Sequence, residues 1–515
     1  MSTVGDNSMF SRVMLARARV YRVAPATPMT MVSLPGGSTL LVKREDLGPV
    51  HSFKWRGAAV RISELADEGC TEVVAASAGN HAQGVALASA AAGMRATIFM
   101  PRSTPRIKQQ QVRRLGGTHV DVRLEGDCYD ESAASAAQYA TERGARIVHA
   151  YDDLSVIAGQ GVIGDEIAQE TSELDRVYLC VGGGGLAAGV ATVLRASIPG
   201  VELIGVEAEG QASMKAALDA GEPVDIGPVD SFCDGTAVRK VGERTFEFCR
   251  EALDRVVTVS NDEVCAAIEL AWETLRAIPE PSGALAFAAA VREADGTSRD
   301  LAVLSGANLD FMTLPRIAQR SHIGRRERRY YAFGIREEAG SLVSLLDRLG
   351  DGCNIVDFQY GKTDERLADP VIGFEASPGE LDRIPDEAMT LGIESRDVSS
   401  QQAVGFRVIP LRPGLMRSPV FAVVTFPDRG GALRELMHRV GKVASICYFN
   451  YVSTGETEGS AMMGFEFEDA ARRAAFLDVL VTHGVKHRLM GPDEFRFRVA
   501  IDEDARPDEA YGVSR

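Results

Sequence analysis

Short β-branched runs alternate with long alanine-rich stretches between residues 71 and 309. Strands that alternate with helical segments indicate βαβ units and a mostly parallel sheet with helices on both faces. Ligands of such folds bind where the carboxyl ends of the strands lead into loops. The pattern predicts helices over His81–Ala92 and Glu131–Glu142, and strands over Thr71–Ala75, Ala96–Met100, Arg146–His149, Arg176–Val181, Val201–Val206, Val256–Val259 and Leu301–Leu304.

The pattern changes after Gly324, where a basic run at 325–329 is followed by shorter elements with alternating aromatic and aliphatic residues. This part repeats itself at an offset of 91 residues: FQY at 358–360 matches FNY at 449–451, GSL at 340–342 matches GAL at 431–433, and GFE at 373–375 matches GFE at 464–466. Such an offset fits one small domain per repeat. We predict domains over 1–324, 329–407 and 419–501, the last two being tandem α+β units with antiparallel sheets.

Composition and charge restrict the possible partners. The formal net charge of −16 argues against nucleic acid, because phosphate backbones require a basic surface. The eight cysteines form no C-x-x-C pair, so we expect reduced thiols and no zinc knuckle. His483 and His487 have an i, i+4 spacing without a third ligand, and no metal site is predicted. Neither a signal peptide nor an apolar run of membrane length is recognisable, so a cytoplasmic protein with no membrane partner is expected.

Lys54 is the first candidate for chemistry. It lies between Phe53 and Trp55 in HSFKWRGA (51–58), ahead of an alanine-containing apolar segment. A lysine before a helix is usually a surface residue, and this segment alone favours that interpretation. If the side chain is desolvated, its pKa falls and its amine can attack an aldehyde.

SAGNHAQG (77–84) lies between a predicted strand and a predicted helix. Ser77, Asn80 and the loop amides could form a donor-rich cup for a carboxylate. An ordinary helix N-cap needs only one such residue, whereas every non-alanine position here is glycine or polar. His81 alone is more often structural than catalytic.

Four consecutive glycines, 182–185, follow the predicted strand Arg176–Val181 and precede a helix. Glycines there let backbone amides converge on a phosphate at the helix N-terminus. The same run fits the dinucleotide-binding pattern G-x-G-x-x-G/A, and Glu207 lies where a ribose-binding acid would be expected. Both interpretations stay open. Two further polar positions, Ser305 after a buried strand and Glu280 at the start of a helix, could be helix caps or functional groups.

As a set, these motifs resemble the fold-type II pyridoxal-phosphate enzymes, the tryptophan synthase β group. HSFKWRGA, SAGNHAQG, VGGGGLAAG (181–189), EPSGA (280–284) and SGAN (305–308) occur in that group's order. The chain is most similar to the biosynthetic threonine dehydratases (threonine ammonia-lyases), and LVKRED (41–46) and IAGQG (157–161) also look like this family. The resemblance implies an α/β catalytic domain of fold type II followed by two α+β ACT-like regulatory domains.

The resemblance also implies a cofactor, pyridoxal 5′-phosphate, and a role for each motif. Lys54 would bond the cofactor aldehyde and later take the Cα proton of the substrate, which implies conversion of L-threonine to 2-oxobutanoate and ammonia, or of L-serine to pyruvate. The resemblance implies that Phe53 lies beside the cofactor ring, Asn80 at its 3-hydroxyl and Ser305 at its pyridine nitrogen. It also implies that Glu280 lies near the ring. Residues implied to hold the phosphate are Gly182, Gly183, Gly184, Gly185 and Leu186. Residues implied to hold the substrate carboxylate are Ser77, Ala78, Gly79, Asn80 and His81.

Regulation is implied by the tandem repeats. The resemblance implies that the enzyme catalyses the first step of isoleucine biosynthesis, that isoleucine inhibits it by feedback, and that valine opposes this inhibition. Tyr360 and Tyr451, at equivalent repeat positions, are candidate effector contacts, although both could equally be core aromatics of small sheets. Such units commonly pair across subunits, so a homotetramer or dimer is expected.

Several alternatives share part of this pattern. Serine racemase, threonine synthase and cysteine synthase have the same fold, and the paired C-terminal units favour a dehydratase over them. A nicotinamide-dependent dehydrogenase would use the glycine loop but leaves Lys54 unexplained. A catalytically inactive amino-acid sensor would need no reactive lysine.

Overall fold

Two structural units divide the chain between Gly324 and Arg325. The computed structural model describes residues 4–349, 352–440, 444–454, 456–482, 485–491 and 494, without the side chains of residues 4–8, 402 and 479. None of the described helices is both long and apolar enough to cross a bilayer.

The first unit is built on two sheets. The larger has the order β1-β2-β10-β7-β8-β9 and the smaller β5-β4-β3-β6. Every described strand pair in them is parallel except β1 with β2. The strands are β1 (Met29–Ser33), β2 (Thr39–Arg44), β3 (Glu72–Ala76), β4 (Arg95–Met100), β5 (Val120–Leu124), β6 (Arg146–Ile147), β7 (Arg176–Cys180), β8 (Glu202–Ala208), β9 (Arg255–Val259) and β10 (Asp300–Leu304).

Helices follow most of these strands, as parallel connections require. They are α1 (Val4–Val20), α2 (Lys54–Asp67), α3 (Asn80–Ala92), α4 (Arg106–Gly116), α5 (Tyr129–Arg143), α6 (Leu154–Glu170), α7 (Gly185–Ser197), α8 (Ser213–Ala220), α9 (Glu243–Ala252), α10 (Asn261–Leu275), α11 (Pro281–Glu293) and α12 (Leu314–Gly324). The predicted α/β class is confirmed, and all seven predicted strands have a counterpart. The sequence pattern missed the β1–β2 hairpin and β5.

Glycines in α6 and α7 let α6 approach two other helices closely. A Cβ on Gly159 would lie 2.6 Å from the carbonyl oxygen of Arg56 in α2. A Cβ on Gly189 of α7 would lie 2.3 Å from the carbonyl oxygen of Ile157 in α6. Backbones this close leave no room for larger residues, so the glycines fix the position of α2, which begins at Lys54.

A buried ionic cluster lies under the first turn of α2. Arg56, with no exposed surface, donates to Glu45 (Nε–Oε2 2.8 Å) and to Glu166 (Nη1–Oε1 2.6 Å). Lys43 donates to the other oxygen of Glu166 over 2.7 Å. Removing one partner of a buried ion pair typically costs about 3–5 kcal/mol. This cluster gives LVKRED (41–46) a structural role, because the motif contributes Lys43 and Glu45 to the ion pairs around Arg56.

The second unit contains two repeats whose strands form one sheet of nine; the second has the element order βαββαβ, and the first has the same order with additional short elements. The first repeat consists of β11 (Arg328–Arg336), α13 (Ser341–Arg348), β12 (Asn354–Gly361), β13 (Leu367–Ala368), β14 (Val371–Glu375), α14 (Pro378–Leu381), α15 (Ile384–Thr390), β15 (Glu394–Asp397) and α16 (Gln402–Gly405). The second consists of β16 (Val420–Pro427), α17 (Ala432–Val440), β17 (Ser445–Val452), β18 (Glu458–Glu466), α18 (Ala470–Thr482) and β19 (Lys486–Leu489).

Equivalent strands join the two repeats. β12 pairs antiparallel with β17, so that Phe358 lies opposite Tyr451 and Tyr360 opposite Phe449. The rings of Phe358 and Phe449, which are equivalent in the two repeats, stack with centroids 4.5 Å apart. This reciprocal pairing relates the two repeats by an approximate twofold axis. The bounds 329–407 and 419–501 remain predictions, and the end of the second, beyond residue 494, lies outside the described residues.

Candidate functional site

Lys54 is the first residue of α2, and its side chain turns inward. Its Nζ donates a hydrogen bond to the carbonyl oxygen of Ala150 over 3.1 Å and lies 5.1 Å from the centre of the Phe53 ring. Burial lowers the pKa of Lys54 to about 8, because a low-dielectric environment disfavours the charged ammonium. An amine in this state is unprotonated often enough at neutral pH to act as a nucleophile.

Asn80, the first residue of α3, joins two other motifs. Its Nδ2 donates to Oε1 of Glu280 over 2.6 Å, and its Oδ1 accepts from Nδ2 of Asn308 over 2.7 Å. Glu280 is buried, and burial raises its pKa to about 7. These contacts bring together SAGNHAQG, EPSGA and SGAN, which are widely separated in the sequence.

Ser305 directly follows β10 at its carboxyl end. Its carbonyl oxygen accepts from the backbone N–H of Phe53 over 3.1 Å, which ties SGAN to the lysine motif. Its hydroxyl accepts a hydrogen bond from the thiol of Cys180, with Sγ and Oγ 3.3 Å apart. Burial raises the pKa of the Cys180 thiol to about 11, so the thiol keeps the proton that it donates.

The glycine loop 182–185 lies between β7 and α7, and each of its glycines is closely packed. Gly184 has φ +92°, a left-handed conformation that favours glycine. A Cβ on Gly183 would lie 2.3 Å from Cγ of Tyr151, and one on Gly182 would lie 2.8 Å from Cα of Thr236. Since α7 begins at Gly185, the loop presents the N-terminal amides of a helix, a geometry that suits a phosphate.

Glu207 does not fill the role that the dinucleotide interpretation requires. It lies within β8, has no exposed surface, and accepts hydrogen bonds from the backbone N–H groups of Met214 (2.8 Å) and Lys215 (2.9 Å) in the first turn of α8. Burial raises its pKa to about 7. Both oxygens of the Glu207 carboxylate are bonded to a helix N-terminus, so Glu207 is not available to bind a ribose. The dinucleotide interpretation of the glycine loop therefore lacks its acidic residue.

Residues 77–79 form the turn from β3 into α3, and all are partly buried. The hydroxyl of Ser77 accepts from the backbone N–H of Gly79 over 3.2 Å. The ring of His81 donates from Nε2 to the carbonyl oxygen of Val148 over 2.8 Å, and burial lowers its pKa to about 3. The His81 ring is therefore neutral and is held by a buried hydrogen bond.

Sequence reasoning assigned no role to three residues that the structure brings into the site. Tyr151 packs on Gly183, Cys180 bonds Ser305, and Asn308 bonds Asn80. Cys180 is the last residue of β7, and Tyr151 and Asn308 lie in the loops that follow β6 and β10, so all three are at the carboxyl ends of strands, where parallel sheets gather ligands. Among the described residues no group of three His, Cys, Asp or Glu side chains could hold a metal, and His483 lies outside them.

The two tyrosines of the second unit are both buried and both bonded to an acid. The Tyr360 hydroxyl donates to Glu337, and the Tyr451 hydroxyl donates to Asp428. Glu337 and Asp428 are themselves equivalent in the two repeats. The structure thus places each tyrosine at the same position of its repeat.

Comparisons with known proteins identify the family of the chain. The family "Pyridoxal-phosphate dependent enzyme" matches residues 22–306, and "C-terminal regulatory domain of Threonine dehydratase" matches residues 319–408 and 417–499. The chain is 39% identical over 482 residues to the biosynthetic L-threonine dehydratase IlvA of Salmonella typhimurium, which covers 91% of this chain and 93% of that protein.

Solved structures are similar to about three fifths of the chain. The processed form of threonine deaminase isoform 2 from Solanum lycopersicum is 40% identical, with a TM-score of 0.58, over 61% of this chain and 94% of that one. Maize serine racemase is 28% identical, with a TM-score of 0.56, over 61% of this chain and 98% of that one. The resemblance read from the motifs is confirmed. The chain belongs to the pyridoxal-phosphate-dependent enzymes, in the family of the biosynthetic threonine dehydratases, and carries that family's C-terminal regulatory domain.

Proposed function

We propose that the protein is a threonine ammonia-lyase that converts L-threonine to 2-oxobutanoate and ammonia in the first step of isoleucine biosynthesis, and that also accepts L-serine. The observation that carries the proposal is the inward-facing Lys54, whose pKa is lowered to about 8, in a site that also contains Asn80, Ser305 and the glycine loop. Dehydratase and deaminase are the activities named for the similar proteins.

The residues of the site fit pyridoxal 5′-phosphate. The glycine loop offers helix N-terminal amides, and a Cβ on any of its four residues would collide with packed neighbours. We assign the phosphate to Gly182–Gly185 with Leu186, and the aldehyde to Lys54. We place Phe53 beside the cofactor ring and assign Asn80 to the 3-hydroxyl and Ser305 to the pyridine nitrogen. Glu280 lies near the ring because it is hydrogen-bonded to Asn80.

When bound, pyridoxal phosphate withdraws electrons from the Cα of an amino acid joined to it and so makes the Cα proton acidic. Lys54 accepts that proton, because its lowered pKa keeps part of the amine unprotonated near neutral pH. The loop Ser77–His81 holds the substrate carboxylate through its hydroxyl, amide and backbone donors. Asn80 is held from two sides, by Glu280 and by Asn308, and its orientation is therefore fixed before substrate arrives.

Ser305, which we assign to the pyridine nitrogen, determines how strongly a protonated nitrogen is stabilised. Its hydroxyl accepts from Cys180, which leaves its own proton available for donation to the nitrogen. A neutral hydroxyl stabilises a protonated ring less than a carboxylate would. We infer that charge on Cα is therefore short-lived, which favours prompt loss of the β-hydroxyl over amino transfer.

We assign feedback control to the second unit, with isoleucine as inhibitor and valine opposing it. Tyr360 and Tyr451 are the candidate effector contacts. An effector must bind one conformation better than another to regulate the site. We further propose that the active species is a homotetramer or homodimer and that it is cytoplasmic.

Serine racemase is the alternative that the fold itself allows, since the maize enzyme has a similar first unit. The regulatory domain matched over residues 319–408 and 417–499 favours a dehydratase, because the racemase structure covers only 61% of this chain. An inactive sensor is disfavoured by the intact lysine site.

The test is an assay of the purified chain with L-threonine for 2-oxobutanoate, with and without isoleucine, beside assays for pyruvate and D-serine from L-serine. Formation of 2-oxobutanoate that isoleucine suppresses is expected. D-serine as the main product would favour the racemase, and a chain that binds isoleucine but turns over neither amino acid would favour the sensor.

A further inference from the structure

Ser52 has a buried hydroxyl group for which the chain provides no partner. The residue has no exposed surface, and none of the described residues forms a hydrogen bond with its Oγ. Such a group loses its bonds to water on folding and gains none in return, which costs free energy. A buried polar group of this kind is rare in a native protein, and a functional role is one of its few explanations.

The backbone at Ser52 is held in a fixed position. Ser52 forms an antiparallel bridge with Gly306, and the backbone hydrogen bonds on either side of this bridge measure 3.1 and 2.8 Å. The preceding residue, His51, has a left-handed φ of +52°, which is uncommon for a residue other than glycine. These constraints fix the direction in which the serine side chain leaves the backbone, two residues before Lys54.

Glu280 reaches the same face of this bridge. Residues directly opposite each other in an antiparallel pair place their side chains on one face. A Cβ on Gly306 would lie 2.2 Å from Oε1 of Glu280 and 3.1 Å from Cβ of Ser52. Because Gly306 has no side chain, the carboxyl group can approach the serine. The same Oε1 accepts from Nδ2 of Asn80 over 2.6 Å, so the hydroxyl, the carboxyl and the amide are neighbours.

Asn80 and Ser52 can serve one acceptor together. Asn80 donates one of its two Nδ2 hydrogens to Glu280, and its Oδ1 accepts from Asn308. The second Nδ2 hydrogen is therefore left for a ligand. The serine hydroxyl is a second donor beside it. An oxygen with negative charge is the strongest acceptor for such a pair, and the 3-oxygen of pyridoxal phosphate is an oxygen of this kind.

We propose that Ser52 is a further cofactor-binding residue, whose hydroxyl donates to the 3-oxygen of pyridoxal phosphate beside Asn80. This rests on the proposed cofactor and on the position assigned to Asn80. In the apoenzyme the unpartnered hydroxyl lowers stability, and cofactor binding gives it a partner. The hydroxyl therefore contributes to cofactor affinity and not to the stability of the apoenzyme.

The variant Ser52→Ala of the full chain tests the proposal with and without cofactor. Titration of its apoenzyme with pyridoxal phosphate, followed by visible absorbance, should show binding about tenfold weaker than in wild type, the effect of losing one hydrogen bond to a charged oxygen. Its affinity for 3-deoxypyridoxal phosphate, which lacks the 3-oxygen, should equal that of wild type. The urea midpoint of the apoenzyme should be unchanged or higher, because alanine removes the unpartnered hydroxyl.

Ser89→Ala is the matched control. Ser89 also has no exposed surface and no partner for its hydroxyl among the described residues. It lies in α3, nine residues after Asn80 and so about 13 Å along the helix axis. Removing this hydroxyl should leave the affinity for pyridoxal phosphate unchanged. A second variant, Ser52→Cys, keeps a weak donor of similar size and should bind the cofactor with intermediate affinity.

Three results would overturn the role of Ser52. They are wild-type affinity for pyridoxal phosphate in Ser52→Ala, equal losses for pyridoxal phosphate and its 3-deoxy analogue, and a lowered urea midpoint of the apoenzyme, which is the effect expected of a structural residue. The proposed function is tested separately by the wild-type titration. If the wild type binds no pyridoxal phosphate, the cofactor assignment fails as well, whereas equal binding by wild type and Ser52→Ala refutes only the role of Ser52.

Discussion

Asn80 and Glu280 are joined by a hydrogen bond of 2.6 Å that connects α3, beside the smaller sheet, with the N-terminus of α11, beside the larger one. Glu280 accepts this bond in a buried place, and burial, with Asp234 adding to it, raises its pKa to about 7. The bond therefore joins Asn80, which we assign to the cofactor ring, to a carboxyl group whose raised pKa favours its neutral form.

Replacing Glu280 with glutamine should change how stability depends on pH. The carboxyl pKa is about 7 in the fold and 4.5 as its ordinary value, so the unfolded chain loses its proton first and the wild type loses stability as the pH rises through this window. Glu280→Gln keeps an oxygen for Asn80 but cannot ionise. Its stability relative to wild type should increase by up to about 3 kcal/mol between these pH values. Urea unfolding of the apoenzyme at several pH values measures this, and a difference independent of pH would contradict it.

Replacing Ser305 with aspartate should alter product partition. A carboxylate stabilises a protonated ring nitrogen, so charge on Cα lives longer and amino transfer competes with loss of the β-hydroxyl. Ser305→Asp should form more pyridoxamine phosphate per 2-oxobutanoate than wild type, measured by chromatography of the cofactor after turnover. Ser305→Thr keeps the hydroxyl that accepts from Cys180 and serves as control. An unchanged ratio in the aspartate variant would count against the role given to Ser305.

Gly183→Ala should weaken cofactor binding. The added Cβ would lie 2.3 Å from the Tyr151 ring, and overpacking of this kind costs about 1–3 kcal/mol, which corresponds to about 5–150-fold in affinity. Titration of the apoenzyme with pyridoxal phosphate, followed by visible absorbance, gives the dissociation constant. Adding Tyr151→Ala to Gly183→Ala removes the collision and should recover part of the loss. A single variant that binds as tightly as wild type would show that the loop can shift freely.

A chain ended after Gly324 should remain a catalyst and lose its response to isoleucine. This end retains all of α12, whose Arg320 donates to Asp262 of α10, so the first unit keeps its own packing. The measurement is the initial rate of 2-oxobutanoate formation across an isoleucine series. Inhibition equal to that of the full chain would refute the assignment of regulation to the second unit.

Much of this fold could be predicted from the sequence, for physical reasons. Strands such as Leu301–Leu304 are continuous apolar runs, and the 91-residue repeat is visible in three pairs of similar triplets, one of which, GFE, is identical. The β1–β2 hairpin was not predicted because Met29–Ser33 lacks a clear apolar period, and Val32 is the one fully buried residue of this strand. Tyr151 and Cys180 escaped because their roles arise from tertiary contact with Gly183 and Ser305, which no local spacing encodes.

The most direct measurement concerns the Lys54 amine. The holoenzyme is reduced with borohydride, digested, and its pyridoxyl-modified peptide sequenced by mass spectrometry, while the rate of cofactor capture by the apoenzyme is followed against pH. The modification is predicted on Lys54, with a capture rate that rises with pH through about 8 as the amine loses its proton, and with neither observed in Lys54→Ala. A label on another lysine, or a preparation that takes up no pyridoxal phosphate and stays colourless, would contradict the account.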